Sequence, residues 1–63
     1  MYQNNSQPSY DGNWLRSMRL KHGLHQHQLA AKMDINQGRI SEWENGIKPI
    51  PPERLEQVKT ILN

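Results

Sequence analysis

Apolar residues recur at helical spacing in four blocks of the chain, and residues that stop a helix separate the blocks. In the first block Leu15 and Met18 point inward, Asp11 or Asn13 can cap the start, and Gly23 ends the run. In the second, Leu29, Ala30 and Met33 form one buried stripe, with Ala30 small where another helix must cross closely. Asp34 then closes that helix, since Asp tolerates the left-handed backbone of a sharp reversal, and Ile35 supplies an apolar plug. After a turn of about three residues, Asn36 caps a third helix that turns Ile40 and Trp43 inward, with Glu44 at the same edge and Gly46 just past its end. The segment Ile47 to Pro52, IKPIPP, forbids helix, and it predicts an extended linker with Ile47 or Ile50 folded against the core. Pro52 suits the first turn of a last helix, on which Leu55, Val58, Ile61 and Leu62 make an apolar stripe. The pattern predicts an all-α fold, a compact bundle of four short helices.

The third helix is informative on its outer side. At about 100° per residue, Gly38, Glu42 and Asn45 point away from Ile40 and Trp43, with Arg39 and Ser41 on the flanks. Two short helices joined by a tight turn, the second with one apolar and one polar face, are the layout of a helix-turn-helix. Between Leu15 and Leu55, the residues Arg19, Gly23-Leu24, Gln26, Leu29-Ala30, Ile35, Ile40-Ser41, Trp43-Glu44 and Gly46 fall in one register. In that register the chain resembles the DNA-binding domain of the Cro, lambda-repressor and 434-repressor type, often called the XRE family.

The resemblance implies a lambda-repressor-like domain over residues 12–63 whose third helix enters the major groove of double-stranded DNA. It implies base-reading roles for Gln37, Gly38, Arg39 and Glu42, and phosphate contacts for Gln26 and Ser41. His25, His27, Asn45 and Lys48 border the same surface and are expected to touch phosphates. Arg19 and Glu44 match a buried ion pair that ties the first helix to the third. Three positions depart from the family pattern. His25 stands where a Thr, Ser or Asn cap is usual, which weakens the start of helix two or makes it pH-sensitive. Asp34 replaces a turn glycine at little cost, and Gly38 replaces a side chain on the DNA-facing surface. Gly38 reads either as a tolerated glycine costing about 1 kcal/mol of helix stability or as bare backbone that lets the helix sit deeper in the groove.

With 63 residues, 33% of them hydrophobic, the chain can bury one modest core, which rarely supplies more than about 3–5 kcal/mol. The absence of cysteine excludes disulfides and thiolate metal sites. No apolar run approaches the roughly 20 residues that span a membrane, and MYQNNSQPSY lacks the order of a secretory signal, so the expected setting is cytoplasmic. The net charge of +2 is small. Its distribution says more, because Arg16, Arg19, Lys21, Lys32, Arg39 and Lys48 outnumber Asp34, Glu42 and Glu44 around the motif, whereas charges cancel in the last helix. An ordinary solvated surface would look much the same. Residues 1–11 are too polar to fold and are expected to form a disordered tail; they hold no Arg or Lys with which to probe a minor groove.

Other chemistry finds little footing. His25 and His27 sit about 200° apart on a helical wheel, so with His22 they do not converge on a metal, and no metal or other cofactor is expected. Ser41 has no base or oxyanion hole in view, so no catalytic residue is assigned. Trp43 reads as core rather than as a stacking platform. Glu42 reads either as an acceptor for a cytosine amine or as a rim residue facing water.

Two function classes follow. One is a sequence-specific transcriptional repressor resembling Cro-like or anti-CRISPR-associated regulators, an autoregulator of a phage or other mobile element. It would bind a palindromic operator as a homodimer, weak in solution, joined through Ile47, Ile50, Ile61 and Leu62, with no fifth helix left to build the interface. The other is an antitoxin-like module whose main task is to bind a partner protein. Exposure of Ile61 and Leu62 would favour a partner or a second copy.

Overall fold

The computed structural model describes residues 10–63, which form four helices and no strand: α1 (Gly12–Lys21), α2 (Gln26–Met33), α3 (Gln37–Glu44) and α4 (Pro52–Ile61). The expected tail falls mostly outside the described residues, but its last two positions belong to the domain. Asp11 caps α1, its Oδ1 accepting the Trp14 N–H at 3.0 Å. Tyr10 meets Trp14 edge to face with ring centroids 5.0 Å apart, and Lys59 Nζ lies 4.8 Å from the Tyr10 ring centroid.

The first three helices end alike. The Leu24 N–H donates to Arg19 O and the Gly23 N–H to Leu20 O; Ile35 and Asp34 repeat the pattern on Ala30 and Ala31, and Ile47 and Gly46 on Glu42 and Trp43. Each reversal needs one residue in the left-handed region, filled by Gly23 (φ 70°), Asp34 (φ 58°) and Gly46 (φ 73°). Asp34 is the single non-glycine residue with positive φ among those described, and it sets the tight turn between α2 and α3. Asn36 opens α3, its Oδ1 accepting the Gly38 N–H at 2.7 Å.

Leu15, Leu29, Ala30, Met33, Ile40, Trp43, Val58 and Leu62 form one core, with Trp14, Met18, Leu24, Ile35, Ile50 and Ile61 packed partly against it. Each large side chain so buried contributes about 1.5–3 kcal/mol by leaving water, and α2 and α3 make the most extensive pairing. Gln57 Nε2 donates to Met33 O at 3.2 Å and ties α4 to the end of α2. In the linker Ile50, not Ile47, folds inward, leaving Ile47 68% exposed.

Leu62 corrects an expectation. It lies in the core at 3% exposure, where it offers no surface to a second copy, and Ile61 is half-buried against the same core. The last turn of α4 bends this end of the stripe onto the bundle, with the Leu62 N–H donating to Val58 O at 2.8 Å.

Candidate nucleic-acid interface

Two opposed demands meet in α3. Its inner face must fill the core, and its outer face is left to solvent. Gln37, Gly38, Arg39 and Asn45 are exposed, and Ser41 and Glu42 are half-buried at the edges. Asn36, Gly38, Arg39 and Glu42 line a shallow polar hollow of about 350 Å3 on this side. A Cβ at Gly38 would come 3.0 Å from Asn36 Oδ1, the atom that caps the helix, so the missing side chain lets the cap close tightly. Arg39 lines this hollow and is exposed. Glu42 Oε2 lies 3.9 Å from Lys48 Nζ, with Lys48 largely in water and Glu42 half-buried, a long pair that contributes little to stability.

Beneath this face the structure brings Arg19 and Glu44 together. The Arg19 guanidinium donates through Nε to Glu44 Oε2 at 2.6 Å and through Nη2 to Oε1 at 2.9 Å, and through Nη1 to Leu24 O at 2.9 Å. Glu44 Oε1 also accepts from Gln26 Nε2 at 3.1 Å and Arg16 Nε at 3.3 Å. Burial pushes the Glu44 carboxyl up, but the bond from Arg19, the bond from Gln26, the Arg19 charge and the Arg16 bond together hold it below its ordinary range. The bond to Glu44 in turn raises Arg19, against the opposing effect of burial. The pair is ionised and every oxygen of the carboxylate is engaged.

Gln26 carries this network outward. Besides donating to Glu44, its Oε1 accepts from Gln37 Nε2 at 3.4 Å, so the first residue of α2 touches the first of α3. His25 and His27 flank it on the exposed surface, their rings stacked with centroids 5.5 Å apart and planes within 6°. The helical wheel set these rings on opposite sides. His25, however, is the N-cap, and its extended backbone (φ −78°, ψ 162°) takes it off the wheel and lets the side chain lean over His27. The start of α2 is further held by Gln28 Oε1, which accepts the His25 N–H at 2.8 Å. Among the described residues no three His, Cys, Asp or Glu side chains gather as metal ligands, and no helix is long and apolar enough to cross a membrane.

Arg16 was not singled out among the expected site residues. Half exposed on α1, it reaches Glu44 and, through Nη2 at 3.5 Å, Asn45 Oδ1; Asn45 Nδ2 donates to Ser41 Oγ at 3.3 Å. Its basic charge and proximity in sequence to Arg19 are visible in the chain, but the contact with α3 depends on the helix crossing. Next to His25, Gln26 and His27 at the start of α2, α3 and its C-cap offer Gln37, Gly38, Arg39, Ser41, Glu42 and Asn45 to solvent.

No curated protein and no solved structure matches the chain. The Helix-turn-helix family model, in contrast, matches residues 15–63, from the first core leucine of α1 through α4 and the two residues that follow it. With that match and this arrangement of α2 and α3, the chain belongs to the XRE-type helix-turn-helix family of DNA-binding regulators.

Proposed function

We propose that the protein is a sequence-specific repressor that reads double-stranded DNA with the outer face of α3. The observation that carries this reading is the division of α3: Ile40 and Trp43 are buried, while Gln37, Gly38 and Arg39 stand free beside a polar hollow. Gln37 can pair with adenine N6 and N7 and Arg39 with guanine O6 and N7, and Glu42 can accept from cytosine N4. The open surface at Gly38 allows close approach of the helix to base edges. His25, Gln26, His27, Ser41, Asn45 and Lys48 surround these residues as phosphate contacts, which fix register without reading sequence. The chemistry is binding rather than catalysis.

One such helix reads too few base pairs for a unique site, so the domain acts as a homodimer on a palindromic operator, with half-sites about one helical turn apart. Of the side chains expected at the interface, Ile47 is exposed and offers the main apolar contact to the second copy, with Ile50 and Ile61 contributing only the parts not packed on the core. Because this surface is small, the dimer is weak in solution and is held on the operator by effective concentration. A cytoplasmic autoregulator of a phage or mobile element is the role that the likeness to Cro-like regulators supports. The antitoxin-like module is the second reading; the packing of Leu62, and in part of Ile61, against the core removes surface that a partner protein or a second copy would each have used.

Selection of duplexes from a random pool tests this. The expected product is an enriched inverted repeat, bound by two copies in sedimentation. A pool that shows no enrichment would contradict sequence reading, and one-to-one binding to an inverted repeat would contradict the dimer.

A further inference from the structure

We infer that Arg16, on α1, supplies the cation of a backbone-phosphate site completed by Ser41 and Asn45 of α3, an inference that rests on the DNA-binding reading above. Three charged groups meet at the α1–α3 crossing. Glu44 and Arg19 form a buried pair with two parallel bonds at 2.6 and 2.9 Å and neutralise each other. Arg16 is the surplus. Its single bond to Glu44 is longer, at 3.3 Å, its side chain is 49% exposed, and Glu44 already has other donors in Arg19 and Gln26. The guanidinium thus keeps a free positive charge at the surface while one edge of it is anchored.

What surrounds it suits a phosphate oxygen. Arg16 Nη2 lies 3.5 Å from Asn45 Oδ1, at the limit of a hydrogen bond, and Asn45 Nδ2 lies 3.3 Å from Ser41 Oγ. These contacts are long, so the guanidinium, the amide and the hydroxyl can turn outward to a stronger acceptor at little loss. Ser41 and Asn45 border the outer face of α3, so an oxygen held here would belong to the strand that flanks the groove which α3 enters. Asp11 lines the neighbouring hollow with Gly12, Asn13, Glu44, Asn45 and Gly46, but its carboxylate is engaged at the N-terminus of α1, where the helix dipole offsets its charge. A guanidinium on α1 would also fix the angle at which the bundle sits on DNA, since α1 and α3 would then grip the duplex from two directions.

The test is the salt dependence of binding to a random-sequence duplex, read by fluorescence anisotropy for wild type, Arg16→Gln and Arg16→Lys. Arg16→Gln keeps a donor for Glu44 and removes the charge. The slope of log K against log salt should fall by about 0.9, the value for one phosphate contact, so the wild-type advantage should shrink about three- to fourfold between 50 and 200 mM salt. Arg16→Lys should keep the wild-type slope. Thermal melts of both variants should stay near wild type, because Arg19 and Gln26 remain on Glu44. An unchanged slope for Arg16→Gln, with wild type binding normally, would overturn the Arg16 site alone. Failure of the wild type to bind duplex at low salt would overturn the DNA-binding reading and this site with it.

Discussion

Glu44→Ala should lose its cooperative thermal transition at neutral pH. The Glu44 side chain is fully buried and accepts bonds from Arg19, Gln26 and Arg16. Truncation leaves the guanidinium of Arg19, a residue only 8% exposed, without its counter-charge. Breaking a buried pair from one side costs about 3–5 kcal/mol, and a core of this size rarely supplies more than about 3–5 kcal/mol in total. The loss therefore equals the whole stability. A melt within a few degrees of wild type, followed by circular dichroism, would remove the pair from the list of things that hold α1 on α3.

The same group sets an acid limit. The folded protein holds the Glu44 carboxyl below its ordinary range, so its contribution is fully present above the unfolded value near pH 4 and is lost as pH falls through the folded value. Wild type should lose stability on acidification below about pH 4, and Glu44→Gln should lack that part of the dependence.

Gly12→Ala should destabilise the domain by about 1–3 kcal/mol, the usual cost of forcing atoms into a packed crossing. A Cβ at Gly12 would lie 2.2 Å from Trp43 O, 2.7 Å from Glu44 O and 2.9 Å from the Glu44 carbonyl carbon. These are backbone atoms at the end of α3, so no side chain can turn aside and α1 must move. Alanine gains up to about 1 kcal/mol in helix propensity, which is the smaller effect. A rise in melting temperature for Gly12→Ala would show that α1 does not approach α3 this closely.

Much of this fold is legible because local spacing fixes it. Leu29, Ala30 and Met33 could only form one stripe, Ile40 and Trp43 another, and Asn36 and Gly46 carry cap and stop signals that act within a few residues. What escaped depends on distant partners or on helix ends. Gly12 is special because of the carbonyls of Trp43 and Glu44, and Arg16 because of Glu44 and Asn45. The His25 ring departs from helical-wheel spacing because the residue is a cap with extended backbone. Leu62 misled because an apolar stripe on a last helix reads the same whether its end packs inward or awaits a partner.

The outer face of α3 as a reader of bases is tested most directly by the ratio of affinities for the selected duplex and a random one, measured for wild type, Gln37→Ala and Arg39→Ala. Gln37 is held only by a 3.4 Å contact to Gln26 and is exposed, so its amide is free to turn to a base. Each variant should lose about 1–3 kcal/mol on the selected duplex and little on the random one. Lys48→Ala, at a proposed phosphate contact, should weaken both alike. Equal losses on both duplexes for Gln37→Ala and Arg39→Ala would contradict base reading by α3.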